Sequence, residues 1–449
     1  MGDLKLLYQS IPEIGALYRS KQLSPLELTR LCLKRIEELD PVLNAFITVT
    51  AEKALLQAKQ AEHELRSGHD RGLLHGIPIA LKDLIDTAGI RTTCASRILK
   101  DHVANRDAQL VQRLEVAGGV SLGKTNLSEF AMGIAHPDYG PTHNPWNPSH
   151  TSGASSGGSA AAVAAGMCFA AVGTDTGGSI RIPASYCGVA GLKPTYGLIN
   201  LEGVFPLAWS LDHAGPLARS SGDAGLLLQA MTGQSQLWPT QLSGMHFGVI
   251  QREGKGIQPE VTAQFDAACA ALLAAGAKVE EVQIPDLGQA DTALFGVLLP
   301  EVSALHARWI NNQPEDYAPL TRTQIEMGFA IPAVTYVRAQ QFRRYLTRQF
   351  LSVLDKVDAL LSPTVPWAAP QEDPVFTGDE GTLEGHRTVP HNLTGLPALS
   401  VNVGFANNLP VGMQIITKPH TDAFCLGIGS ALEGLLPQAQ LHPGSPIFK

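Results

Sequence analysis

Helix-like and strand-like patterns alternate along most of this chain, and that alternation restricts the fold more than any other feature. Ser24-Pro25 predicts a helix with a capping serine and a proline in its first turn; it carries Leu26, Leu28, Leu31, Leu33 and Ile36 and ends near Pro41. Residues 45–49 (Ala-Phe-Ile-Thr-Val) read as a strand, and residues 51–67 as an Ala/Glu/Lys/Gln-rich helix stopped at Gly68. The apolar run Ile77–Leu81, between His75-Gly76 and Lys82, reads as a buried strand. Asp107 is expected to cap a helix that stops at Gly118-Gly119, with a strand following at Val120–Gly123. Met245–Ile250, Leu399–Gly404 and Met413–Thr417 continue the strand series. Such alternation implies an α/β protein with a largely parallel or mixed sheet covered on both faces. Sites in open α/β sheets gather at the carboxyl ends of strands, which is where Lys82 stands.

Two serine-glycine segments carry the chemistry. Residues 153–159 read Gly-Ala-Ser-Ser-Gly-Gly-Ser, and residues 173–183 read Gly-Thr-Asp-Thr-Gly-Gly-Ser-Ile-Arg-Ile-Pro. A hydroxyl beside bare backbone can pair a nucleophile with N–H donors aimed at one point, as acyl transfer requires. Taken singly, a Ser-Gly-Gly is more often a turn. The P-loop spacing, the dinucleotide fingerprint and the Gly-x-Ser-x-Gly elbow are all absent. No histidine lies in either segment, so a Ser-His-Asp triad has no local support. A lysine closing an apolar strand ordinarily snorkels to water. If its ammonium is desolvated instead, it loses affinity for its proton and can act as a base.

Together with Ala80-Leu81-Lys82-Asp83, these segments resemble the amidase signature family. So do Gly123–Gly133 (Gly-Lys-Thr-Asn-Leu-Ser-Glu-Phe-Ala-Met-Gly), Cys187–Thr195, Ser210–Pro216 and Asn392–Pro397, and the likeness runs over roughly residues 5–435. The resemblance implies a three-layer α/β/α sandwich around one large mixed sheet. It implies a single domain, with a core over 60–230 holding the motifs and a more variable, cap-like region over 240–400. It makes Ser179 the nucleophile, Ser155, after a cis peptide bond, the bridging serine, and Lys82 the base. The N–H groups of Thr176, Gly177, Gly178 and Ser179 fall where the family has its oxyanion hole. Asp175, Arg181 and Ser156 are read as supports for the loop.

The expected reaction is hydrolysis of a carboxylic amide through an acyl-serine, with no cofactor and no metal. The fourteen histidines show no His-Glu-x-x-His, and no Cys-x-x-Cys occurs. His213 reads as a structural hydrogen-bonder. With 44% hydrophobic and 16% charged residues and a net charge of −8, the chain has core enough for a globular enzyme and no basic footprint for nucleic acid. Six dispersed cysteines read as reduced and mostly buried, and the chain start lacks a signal-peptide profile, so the cytoplasm is the expected compartment. Ala160–Val172 reads as a buried helix too short to span a membrane. The arginines at 338, 343, 344 and 348 read as surface charge on a helical region over 289–357, and 234–256 as a joint.

The substrate pocket is expected from Phe130, Met132 and Gly133, from the 204–210 segment with Phe205 and Trp209, and from the 362–390 loop with Trp367. Singly, each aromatic is more often core than pocket. Aliphatic and aryl amides, carbamates, urethanes, urea-like compounds and esters all stay open. The partners expected are a small-molecule amide and, by analogy with the family, a second copy of the chain. One alternative is the glutaminase subunit of the tRNA-dependent amidotransferase. By the resemblance, that subunit holds its substrate's amino group with an aspartate where this chain has Gly385. A more remote alternative is a non-catalytic binding protein on the same scaffold.

Overall fold

The computed structural model describes residues 3–234, 241–252, 254 and 256–443. Of the expected joint over 234–256, residues 235–240, 253 and 255 lie outside the described residues. Among the described residues eleven strands form one mixed sheet: β1 (Phe46–Val49), β2 (Pro78–Lys82), β3 (Val120–Thr125), β4 (Ala170–Asp175), β5 (Ala190–Lys193), β6 (His213–Ala218), β7 (His246–Val249), β8 (Lys278–Glu281), β9 (Ala359–Pro363), β10 (Ala398–Ala406) and β11 (Leu409–Ile416). Their spatial order is β1-β3-β2-β4-β6-β5-β10-β11-β9-β7-β8. Helices pack against it to complete an α/β sandwich. Segment 246–363 adds β7, β8 and β9 at one end of this same sheet.

Burial follows position in the sheet. Every residue of β2, β3 and β4 is buried, as continuous apolar and small-residue strands covered on both faces require. The edge strand β8 (Lys-Val-Glu-Glu) is mostly exposed, and its charges discourage pairing with another chain. β2 runs parallel to both β3 and β4. The carboxyl ends of β2 and β4, Lys82 and Asp175, therefore emerge at the same edge of the sheet. The loop carrying Ser179 follows directly from there.

Local expectations fare unevenly. The helix Pro25–Leu43 starts on a capping box between Ser24 and Glu27, and it runs past Pro41 to a left-handed Asn44. Asp107 does not cap the helix Gln109–Val116: its carboxylate accepts the Ala88 N–H at 2.8 Å, and Ala108 holds the cap position. The Ala160–Val172 run is not one helix. The helix Gly157–Ala164 ends, the chain turns at Gly166 (φ +71°), and β4 begins at Ala170. Small apolar residues suit either element, and the turn glycine, which alone adopts this φ without cost, decides where one becomes the other. The 289–357 region is three helices, Ala290–Asn312, Pro319–Phe329 and Ala333–Leu354. Arg338, Arg344 and Arg348 are exposed, but Arg343 turns inward, donates to the Leu393 carbonyl and lies over the Tyr196 ring. Five cysteines are buried, Cys269 is half-buried, and all six are free thiols. No helix among the described residues is long and apolar enough to cross a membrane.

Candidate active site

Lys82 ends β2 with no exposed surface. Its Nζ lies 2.7 Å from Ser155 Oγ, 2.9 Å from Ser156 Oγ and 3.0 Å from Thr174 Oγ1. All three partners are hydroxyls, so no carboxylate touches the amine to pair with a full positive charge. Burial pushes the amine down to about 7, against the weaker pull of the Asp175 and Asp212 charges. The hydroxyls differ in freedom. Ser156 donates its proton to the Thr174 carbonyl at 3.1 Å and accepts the Thr174 N–H at 3.2 Å, so it holds the amine without offering it a proton. Ser155, after the cis Ala154–Ser155 peptide, has no second partner among the described residues.

The second loop is built on Asp175, the last residue of β4. Its carboxylate accepts two bonds from Arg181, each 2.9 Å, together with the N–H groups of Gly178 (2.9 Å) and Ile180 (3.1 Å) and the Asn392 amide (2.8 Å). Burial alone would raise this carboxyl; the Arg181 guanidinium more than offsets that and keeps it ionised, well below the usual carboxylate range. Arg181 also donates to the Thr388 carbonyl (2.8 Å), Gln414 Oε1 (2.6 Å) and Asn392 Oδ1 (2.6 Å). Neither member of the pair is exposed. The bracing read from the sequence is thus present, with partners from some two hundred residues further along.

This network settles which backbone donors remain. Gly178, at φ +139°, already gives its N–H to Asp175, and a side chain there would strike Thr388 Oγ1. The N–H groups of Thr176, Gly177 and Ser179 have no protein acceptor among the described residues, so the expected set of four narrows to three. Ser179 is part-exposed, unlike Lys82 and Ser155. Its carbonyl accepts the Ser156 N–H at 3.1 Å, which locks the two serine loops together. The hydrogen bonds therefore join Lys82 to Ser155 side chain to side chain, and join Ser179 to the same loop through its backbone.

The family model for amidases matches residues 27–426. The chain belongs to the amidase family. A glutamyl-tRNA(Gln) amidotransferase subunit of Thermosynechococcus vestitus is 38% identical over 473 residues, covering 94% of this chain and 97% of that one. The crystal structure of an amidase superposes with a TM-score of 0.89 at 34% identity, covering 95% of this chain and all of that one. A bacterial aryl acylamidase superposes at 0.88 with 26% identity, over 98% and 99% of the two chains. This amidase is an amide-hydrolysing enzyme.

The walls around the amidase site differ from the sequence expectation. Phe130 is core: it is 1% exposed at a left-handed φ of +53°, ringed by Phe205, His306 and Tyr317. Met132 is buried, and Gly133 abuts Thr321 and Gln324. Ala131, between Phe130 and Met132, does reach a cavity of about 220 Å³. Trp209, half-exposed, lines that cavity together with Phe205, Val204, Leu201, Thr174 and Thr176. Trp367 lies elsewhere and donates its indole N–H to the Tyr186 hydroxyl at 2.8 Å, within a separate apolar cluster. A larger cavity of about 580 Å³, reaching from Arg71 to Gly233, touches none of these site residues.

Several contributors have no local sequence signal. Phe376 and Leu294 flank Gly177: a Cβ built there would meet them at 3.5 and 3.6 Å. Thr388 Oγ1 donates to the Gly177 carbonyl at 2.6 Å. His213, by contrast, reads from the sequence as a structural hydrogen-bonder: it is buried, desolvation pushes its imidazole well below its usual range, and its Nδ1 lies 3.3 Å from the Asp175 carbonyl.

Proposed function

We propose that this enzyme is a free-standing serine amidase for uncharged amides, with Ser179 as nucleophile, Ser155 as relay and Lys82 as base. The observation that carries the reading is the buried Lys82 amine, held by three hydroxyls with the proton-bearing Ser155 at 2.7 Å. In the first step the Ser179 hydroxyl attacks the amide carbonyl carbon. Its proton moves to Ser155 as the Ser155 proton moves to Lys82. The oxygen of the tetrahedral intermediate takes the N–H groups of Thr176, Gly177 and Ser179, a contribution on the order of 10²–10³ in rate for each such donor. The proton then returns through Ser155 to the leaving nitrogen, the C–N bond breaks, and the amine departs. Water enters by the same relay and hydrolyses the acyl-serine.

The walls favour an uncharged substrate. Asp175 is engaged by Arg181, Asp212 by Thr176, Leu207 and Ala208, and Asp291 by His386. The cavity beside Thr176 is lined mostly by apolar side chains. Engineered apolar cavities of about 150 Å³ accept a benzene ring.

The second reading, a glutaminase subunit, is favoured by the 38% identity to the glutamyl-tRNA(Gln) amidotransferase subunit. Position 385 weighs against it. A Cβ there would point to within 3.9 Å of the Gly177 carbonyl, and this chain has glycine, with no carboxylate for an ammonium group. Turnover of glutamine, acetamide and phenylacetamide, with fluorophosphonate labelling mapped to Ser179, tests both readings. Phenylacetamide is expected to lead. Glutamine as the best substrate would favour the second reading, and labelling elsewhere than Ser179 would overturn the nucleophile.

A further inference from the structure

We propose that Asp212 is a positioning residue, a clamp that holds the oxyanion loop and the substrate-facing loop in one fixed relation. The proposal rests on the reading of Ser179 as nucleophile and goes beyond it. Asp212 immediately precedes β6, whose antiparallel pairing with β4 matches His213 to Asp175. That register sets Asp212 opposite Thr176, the first residue of the loop that carries Ser179.

The contacts are specific. Thr176 Oγ1 donates to Asp212 Oδ1 at 2.6 Å. The Leu207 N–H donates to Oδ2 at 2.9 Å, and the Ala208 N–H lies 3.1 Å from both oxygens. The N–H groups of Leu211 and Asp212 return to the Ala208 carbonyl at 2.8 and 2.9 Å. Residues 207–212 are thus a closed turn folded around their own carboxylate, with Trp209 at its tip. Two outer anchors steady the tip: the Tyr196 hydroxyl donates to the Trp209 carbonyl, and Ser210 donates to Glu301 through both N–H and Oγ.

One carboxylate therefore binds both walls of the cavity. Thr174 and Thr176 form one side, and Phe205, Pro206, Leu207 and Trp209 form the other. Asp212 is 7% exposed and none of its hydrogen bonds comes from a cationic side chain, so its contacts are those of a pure acceptor. The three donors that face it are a hydroxyl and two N–H groups. An alanine removes both acceptor oxygens and strands all three donors, whereas an asparagine could turn its NH2 to the Thr176 hydroxyl, which can also accept. The consequence is catalytic because the Thr176 N–H is one of the three donors left for the oxyanion, and small displacements of a preorganised donor cost rate.

The test compares Asp212→Ala, Thr176→Val and the double variant, with Thr176→Ser as the conservative control. Each is measured for kcat and KM on phenylacetamide and acetamide, for thermal melting, and for the rate of fluorophosphonate labelling. Thr176→Val cuts only the oxyanion link, so it is expected to lower kcat about tenfold on both substrates, while Thr176→Ser restores it. Asp212→Ala is expected to lower kcat ten- to a hundredfold and to compress the phenylacetamide-to-acetamide ratio of kcat/KM at least fivefold. Because both variants cut the same bond, the kcat loss of the double variant should fall well short of their product. The clamp is overturned if the losses multiply, if the substrate ratio stays fixed, or if Thr176→Val keeps full kcat and labelling rate. That last arm stands even where Asp212→Ala fails to melt cooperatively. If the wild type itself is not labelled at Ser179, it is the nucleophile reading that falls.

Discussion

Two buried lysines on neighbouring strands of this sheet have opposite surroundings. Lys82 closes β2 and Lys124 sits near the end of β3, with Leu81 and Lys124 paired across the parallel register. Lys124 makes an ion pair with Asp83 at 3.0 Å, the two side chains 1% and 0% exposed, and also donates to Thr92 Oγ1 and the Arg91 carbonyl. Lys82 has hydroxyls and no carboxylate among its hydrogen-bond partners. A buried ammonium with a carboxylate is a brace, because removing either partner strands a charge. A buried amine among hydroxyls escapes that cost by releasing its proton, and the released state is the one a base needs. Burial is common to both, and on the proposed reading the partner decides the role.

Replacing each lysine by methionine should separate the roles. Lys82→Met, like Ser179→Ala, is expected to lower kcat by on the order of 10⁴-fold or more, as loss of a catalytic group does elsewhere. Its melting temperature should stay within a few degrees of the wild type, because no ion pair is broken. Lys124→Met should do the reverse: it leaves Asp83 unpaired and costs about 3–5 kcal/mol of stability. Its kcat, measured where it is folded, should fall less than tenfold. A Lys82→Met protein that melts as early as Lys124→Met would erase the distinction.

The same contrast sets the pH dependence. Lys82 must be unprotonated to accept a proton, and burial brings its pKa to about 7. kcat/KM on a neutral amide should therefore fall about tenfold per pH unit below that value and level off above it. A profile flat from about pH 5.5 to 8.5 would remove the amine from the rate expression. The smallest effects compare two tryptophans. Trp209→Ala should raise KM for phenylacetamide about tenfold by opening the cavity wall, a change near the ~1.4 kcal/mol of a partly buried aromatic contact. Trp367→Phe, in the separate cluster with Tyr186, should change KM less than twofold.

What could be read from the sequence was whatever local spacing encodes. Asp175 stands six residues before Arg181 in one short motif and is joined to it, while Lys82 meets Ser155 and Ser156 from 73 and 74 residues away, a meeting that only the family resemblance implied, and only for Ser155. The strands were legible for the same reason: β2, β10 and β11 are short apolar runs with clear stops. The missing parts are long-range. Asn392, Gln414 and Thr388 reach Arg181 or its loop from more than two hundred residues away, and no local pattern marks them as partners. Phe130 and Trp367 misled because an aromatic beside a motif fits core and pocket equally well until packing is known. Asp107 misled because a carboxylate near a helix start can serve any nearby N–H, and here it serves Ala88. The commitment of the Gly178 amide to Asp175 is likewise a matter of loop geometry and not of residue type.

The most direct test is the titration of the Lys82 side chain itself, followed by NMR of lysine Cε-labelled protein. The resonance that disappears in Lys82→Met is expected to titrate near pH 7, the value to which burial brings this amine. If that resonance instead stays that of an ammonium up to about pH 10, the range of an ordinary lysine, the hydroxyl-ringed amine is not a base and the account fails.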